Sequence, residues 1–288
     1  CLSRGLGDVY KRQAGGGAGG YRATGYGPSP LRGSAMPFSN VFGGTSYTIT
    51  IGAGGTGQPG YPTDATNGNN SVFAGSSTIT STAGGAGADG QSSNSDTGSP
   101  GGSGGGGHGQ YNMSAGNGNT PPTDPPQGNN GGSGVPGANY GSGGGGGATA
   151  AGSNGSACAG GAGGAGAPNT ITGSDVSYAG GGGGSVSQQP VPSPRSGGAG
   201  GAGGGGAGGT GPGSAGAAGT ANTGGGGGGD ANAPINAGGN GGSGVVIIRV
   251  PGLVPLSVSP GTNTVSSCVG SCNERVARFT VSGTLTIS

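Results

Sequence analysis

Side chains able to do chemistry are scarce in this chain. Gly101-Gly102-Ser103-Gly104-Gly105 has the outline of a G-x-S-x-G nucleophile elbow, in which a strained strand-to-helix turn exposes the serine. Such a serine needs a base and a carboxylate that orients the base. His108 is the only histidine, Glu274 the only glutamate, and no spacing sets an aspartate beside His108. With 86 glycines in 288 residues the pattern arises readily by chance, and no strand-turn-helix sequence surrounds it. The sequence therefore points away from an enzyme. One histidine and the Cys268-x3-Cys272 pair, without further ligands, do not make a zinc site. The G-G-x-G-x-D spacing of calcium-binding repeats is absent, and the sole lysine, Lys11, stands in no phosphate-binding loop. No metal and no cofactor is expected. Cys268 and Cys272 flank three residues, and a hairpin there could bring them within disulfide range, which would leave Cys158 a lone thiol. The sequons at Asn69, Asn112 and Asn154 are expected by chance in so Asn- and Ser-rich a chain.

The elements that must position these residues are glycine blocks. Gly197–Gly211 reads GGAGGAGGGGAGGTG, and similar blocks recur at Ala14–Gly20, Ala53–Gly57, Ala83–Gly87, Gly101–Gly107, Gly141–Gly147, Ala159–Gly166, Gly180–Gly184 and Gly224–Gly229. Glycine costs about 1 kcal/mol relative to alanine in a helix and gives a strand nothing to pack. An extended helix with three residues per turn and about 3.1 Å rise remains open to it. That helix makes no internal hydrogen bonds, so a lone rod is a solvated coil, whereas a bundle of rods can pair its backbone groups across close contacts. The alternative is a disordered low-complexity chain. Collagen is excluded, because proline is only 20 of 288 residues and glycine does not fall strictly at every third place. With 28 % hydrophobic residues, much of it alanine, no conventional core of domain size is expected.

Asp8-Val9-Tyr10-Lys11-Arg12-Gln13 reads as the translation of a transposon-type sequencing adapter, so residues 1–13 are set apart as adapter read-through. Of nine basic and eight acidic residues, Arg4, Lys11, Arg12 and Asp8 fall in that segment, which leaves six basic and seven acidic. A chain so poor in cations is not expected to bind nucleic acid. The longest aliphatic run, Val245–Ile248, is cut by Arg249, so no membrane insertion is expected. Alternation in Ser46–Ile51 predicts a half-buried strand, and Ser77–Thr82 a weaker one. Gly244–Val250 predicts a strand buried on both faces. Phe279, Val281, Leu285 and Ile287 predict one bulged strand or two paired strands. No segment predicts a helix.

The strand-like SYTITIGAGGTG, the polyglycine body and the closing GGSGVVIIRVPG resemble the glycine-rich domain of bacteriophage tail-fibre and adhesin proteins, over roughly residues 14–252. The tail ARFTVSGTLTIS is similar to the strand pair that opens such a domain. The resemblance implies a sandwich of polyglycine-II helices with variable loops at a tip that recognises a host receptor. The expected fold is thus mainly irregular and all-β, a bundle or sandwich of polyglycine-II helices with a few short strands and essentially no α-helix. Residues 14–250 would form the glycine-rich domain, and 251–288 a C-terminal hairpin segment or the start of a second domain. The resemblance also implies a virion or extracellular location. Its partners would be a bacterial surface glycan or outer-membrane protein and the rest of a tail fibre.

Rods offer no side chains, so loops must carry recognition. The candidate receptor-binding residues are His108, Tyr111, Met113 and Tyr140 in a loop over His108–Tyr140. Asn169–Tyr178 adds Asp175 and Tyr178, and Ser185–Ser196 adds Gln188, Gln189 and Arg195. A nearer loop, Tyr21–Phe42, carries Tyr26, Arg32 and Phe38. The competing role for these aromatics is to cap rod ends as small apolar clusters. Two further functions compete: a structural cell-surface or extracellular glycine-repeat protein, and an ice-binding bundle. Irregular connections and the VVIIR strand argue against both.

Overall fold

The computed structural model describes residues 13–33, 44–58, 63–75, 77–89, 97–109, 114–136, 141–186, 194–211, 213–231, 237–269 and 273–288. Among them there is no α-helix, only a 3-10 turn at Ser29–Leu31. The chain is mainly β and irregular, as its composition predicts.

Most of it consists of extended glycine segments tied to one another by backbone hydrogen bonds with a period of three. In 14–20, Ala14, Gly17 and Gly20 donate to Ala88, Gly85 and Thr82, while Gly15 and Ala18 donate to Gly143 and Gly146. Gly16 and Gly19 donate to Gly227 and Gly224. Carbonyls follow the same rule, since Gly15 and Ala18 accept from Gly106 and Ser103, and Gly16 accepts from Gly182. Each segment therefore sends its N–H groups in three directions and is gripped from several sides. A Cβ on Gly15, Gly105 or Gly182 would fall inside a neighbouring backbone, which is why these blocks are glycine. At two adjacent positions the requirement is conformational: Gly203 and Gly204 turn the chain back with φ of +96° each.

Where a rod lacks a neighbour, amide side chains substitute for a backbone carbonyl. Asn67 and Asn70 Oδ1 accept from Ala86 and Ala83, Asn130 from Gly118, Asn154 from Ser133 and Asn240 from Gly57. Gln127 Oε1 accepts from Thr82. The single loop expected over His108–Tyr140 is corrected by this network. Its middle is built into the bundle, with Gly116 donating to Gly105, Gly131 to Gly116 and Gly132 to Gly144.

At one end of the rods lies a strand layer: β1 (Ala23–Thr24), β2 (Arg32–Gly33), β3 (Thr45–Thr50), β4 (Ser71–Ala74), β5 (Thr78–Ser81), β6 (Ala167–Asn169), β7 (Val176–Tyr178), β8 (Val246–Pro251), β9 (Leu256–Ser259), β10 (Thr264–Val269), β11 (Glu274–Phe279) and β12 (Gly283–Ile287). A five-stranded sheet has the order β5-β4-β3-β12-β9 and a three-stranded sheet the order β10-β11-β8. Every pairing in the two sheets is antiparallel. Ile49, Phe73, Leu285 and Ile287 of the first meet Ala277 and Phe279 of the second in the main apolar core.

The SYTITI segment forms β3 and the closing run forms β8. The latter is half-buried rather than enclosed, with Val246 and Ile248 on the core and Val245 and Ile247 on a second cluster. The tail holds two strands, but they do not pair with each other. β11 joins β8 and β12 joins β3, so each enters a different sheet. Residues 251–288 contribute β9 to β12 and are hydrogen-bonded into the body of the chain. Gln13 also belongs to the bundle: it is buried, and its N–H donates to the Asp230 carbonyl.

Candidate functional site

The hydrogen-bond levels assign ends to the connections. Gln13, Ala88, Gly107, Ser185 and Asp230 share one level, since Ala14 donates to Ala88, Gly143 to Gly107 and Ser185 Oγ to the Gln13 carbonyl. This level lies at the end of the rods away from the strands. Gly109, Pro136 and Val186 follow within a few residues of it, and Gly141 bridges Val186 there. Tyr111, Met113, Tyr140, Gln188 and Gln189 lie outside the described residues, but the residues on either side of them sit at this end.

His108 is fully buried there among rod backbone. Asp175 and Tyr178 are at the opposite, strand end, in the β6–β7 hairpin. Asp175 is exposed, whereas Tyr178 is buried with Tyr21, Ala148, Ala167 and Ala179. Arg195 is half-buried, two residues before the rod that starts at Gly197. The structure thus separates Asp175 and Tyr178 from the other candidates. The disulfide reading for Cys268 and Cys272 lies outside the described residues, and Cys158 is a free, partly buried thiol.

Ser103 of the elbow-like motif is completely buried, and its N–H is bonded to Ala18. Five residues of extended chain place it about 15 Å from His108, too far for proton transfer. Among the described residues no group of three or more His, Cys, Asp or Glu could hold a metal ion. No helix of the described residues is long and apolar enough to cross a membrane.

At the strand end a charged clasp escaped the sequence reading, in which Arg249 only interrupted an apolar run. Arg249 pairs with Glu274, stacks 4.6 Å from the Tyr26 ring centroid and donates from Nη1 to the Ile171 carbonyl at 3.1 Å. Tyr26 Oη donates to Glu274 Oε1 at 3.2 Å. The Val276↔Arg249 register is what brings Glu274 diagonally across from Arg249. Only knowledge of that register could have found it. The Arg249 hydrogen bond holds the Glu274 carboxyl below the usual carboxylate range. Burial pushes the Tyr21 and Tyr178 hydroxyls up, against the bond that Asn169 Nδ2 donates to Tyr21 Oη at 2.7 Å.

Beside the clasp a cavity of about 760 Å³ runs down among the rods. Its upper wall is Tyr21, Tyr26, Leu31 and β8; its lower wall is glycine-rich, with Ala53, Thr56, Ala65, Thr66, Ala83 and Ala86 among the glycines.

Comparison with known proteins bears on the bundle and not on either site. No curated protein and no solved structure matches the chain. A family model described as a glycine-rich domain matches residues 4–251, beginning inside the segment read as adapter and ending at the last residue of β8. The rods and the strand that closes them are what that match spans, and the chain belongs to the glycine-rich domain family.

Proposed function

We propose that this chain is a non-enzymatic adhesin fragment of a bacteriophage tail fibre. In this reading its glycine segments are polyglycine-II helices that display receptor-binding connections at the end away from the strands. The observation that carries the reading is the shared level of the rod ends around Gly109, Pro136, Gly141 and Val186. It gathers the flanks of three connections, 110–113, 137–140 and 187–193, which carry Tyr111, Tyr140, Gln188, Gln189, Pro190 and Pro192. Aromatic and amide side chains on a rigid base suit a glycan or an outer-membrane protein surface. The strand end would join the rest of the fibre, on the virion or outside the cell.

The test is to replace 110–113, 137–140 and 187–193, together and singly, with Gly/Ser of equal length. The rods of 114–136 stay intact, which replacement of all of His108–Tyr140 would not allow. Adsorption to a susceptible bacterial strain is measured against the parent chain. The reading expects the triple replacement to abolish adsorption with circular dichroism unchanged. Full adsorption by the folded triple variant would overturn it.

A further inference from the structure

The lower cavity has a specific shape. Six extended segments ring it, five of them glycine-rich, and each is hydrogen-bonded to the next. Starting from 14–20, Gly17 donates to Gly85 of 82–88, and Ala86 of that segment to Asn67 of 66–70. Asn69 donates to Ala53 of 52–58, and Gly241 of 238–244 to Gly55. Gly242 then donates to Gly225 of 224–229, and Gly16 closes the circle on Gly227. Segment 14–20 is itself bonded to 82–88, 103–107, 141–147, 180–186 and 224–229, and the cavity occupies its sixth side. The cavity therefore stands at a lattice position where a rod would fit.

Two independent features agree. Among the glycines of segment 14–20 there is room for a side chain on the cavity side alone. A Cβ on Gly16 would meet nothing closer than 3.5 Å, and on Gly19 nothing closer than 3.7 Å, whereas on Gly15 and Gly17 it would collide with backbone. Residues 16 and 19 are three apart, so both face the same side of a threefold rod.

The walls also present backbone N–H groups with no partner among the described residues, those of Gly55, Gly84, Gly87 and Gly227. For 82–88 the direction follows from the period of three. Gly85 and Ala88 donate to 103–107, and Ala83 and Ala86 to Asn70 and Asn67, so Gly84 and Gly87 aim into the remaining direction, which the cavity fills. Gly87 and Gly227 are buried and Gly84 is half-buried, and backbone donors withdrawn from bulk water call for acceptors. A rod supplies a carbonyl every third residue, the spacing of Gly84 and Gly87.

We infer that the cavity is a socket for one extended glycine-rich strand donated by a polypeptide other than a second copy of this chain, about six residues long at about 3.1 Å per residue. The occupant is a peptide because the donors are spaced for a backbone, and glycine-rich because it takes the place of a rod in a lattice of glycine-rich rods. This is strand donation transposed from a sheet edge to a rod lattice. It would join this chain to a neighbouring subunit and does not depend on receptor binding at the far end.

The test uses the full chain and a fluorescein-labelled peptide Gly-Gly-Ala-Gly-Gly-Ala-Gly-Gly. Saturable anisotropy is expected, with amide exchange at Gly84, Gly87 and Gly227 slowed about ten-fold while Gly85 and Ala88 stay slow throughout. Gly16→Leu with Gly19→Leu should plug the socket and abolish saturation at unchanged circular dichroism. If that variant unfolds, the exchange measurement on the parent chain decides alone. Three results would overturn the inference. The first is peptide binding that does not saturate and protects none of these amides. The second is exchange at Gly84 and Gly87 as slow as at Gly85 in the peptide-free monomer, meaning the chain fills its own socket. The third is protection that appears only with a concentration-dependent dimer in sedimentation, meaning that a second copy fills it.

Discussion

The rods and the strand layer solve the same problem with opposite means. In the strand layer, side chains do the holding: Phe279, Leu285 and Ile49 are buried to 1 % exposure or less between two sheets. In the rods the backbone does the holding, and a side chain is an obstruction. Ordering glycine costs more conformational entropy than ordering any other residue. The bundle tolerates this because every N–H of its inner segments 14–20, 101–107, 142–147 and 180–184 finds a carbonyl, and because rods without Cβ atoms approach closely enough to make those bonds good. Mutational sensitivity should therefore invert between the two ends. Truncation to alanine should be costly among the strands, and addition of a methyl should be costly among the rods.

The sharpest break of that symmetry is Gly182→Val. Gly182 donates to Gly16 and faces the backbone of Gly227, so a branched side chain must push two rods apart. The expected loss exceeds about 4 kcal/mol, beyond ordinary point substitutions, and denaturant titration should show no cooperative transition. A fully cooperative transition at the parent midpoint would show that the rods are looser than their hydrogen bonds imply.

Phe279→Ala comes next. Deleting this fully buried ring should cost about 3–5 kcal/mol. Residue-level exchange sharpens the comparison: Ala277 and Leu285 amides should lose protection while Gly105 and Gly182 keep theirs. Equal loss in both regions would make bundle and strands one cooperative unit.

How much of this was legible in the sequence differs between the two regions for the same reason. Period-two alternation marks β3 because side chains line its faces, and β8 was readable from its apolar run. β4, β9 and β10 were missed, because SVFA, LSVS and TVSSCV are short and their apolar residues gain meaning only from β3, β12 and β11 beside them. For rods the glycine blocks announce extended backbone, yet which rod lies beside which is carried by N–H and C=O groups that every residue shares. The clasp of Arg249, Glu274 and Tyr26 and the ring around the socket were invisible for that reason. So was the role of asparagine: Asn67, Asn70, Asn130, Asn154 and Asn240 read as loop residues but stand in for carbonyls at the rim of the lattice.

That role gives a smaller, graded prediction. Asn67→Ala and Asn70→Ala each strand one rod N–H near solvent, so each should cost about 0.5–1.5 kcal/mol. The two lie on one segment against adjacent positions of 82–88, so the double variant should depart from additivity. A midpoint shift in urea at constant slope measures it. No shift from either would mean that water serves these donors equally well.

The smallest effect separates the two regions by charge. Segments 14–20, 101–107, 141–147, 197–209 and 224–229 contain no titratable side chain, whereas the strand end holds Glu274, Tyr21, Tyr26 and Tyr178. Glu274 is held below its ordinary range by the Arg249 hydrogen bond. A carboxyl whose folded value is depressed favours the fold above its unfolded value, about 4.3, and this contribution fades as pH falls through the folded value. Tyr21 and Tyr178 work the other way. Burial raises their folded values, so their contribution is complete below about pH 10 and is lost as pH climbs through the raised values. Amide exchange at Ala277 and Val276, corrected for the intrinsic pH dependence, should therefore rise at both extremes while exchange at Gly105 and Gly145 follows the intrinsic rate alone. Glu274→Gln should flatten the acid limb and leave the alkaline limb in place, because it removes the titrating group but not the tyrosines. Were the glycine amides to open along the same acid curve, the clasp would be holding the rods as well as the strands, and the division between the two regions would have to be redrawn.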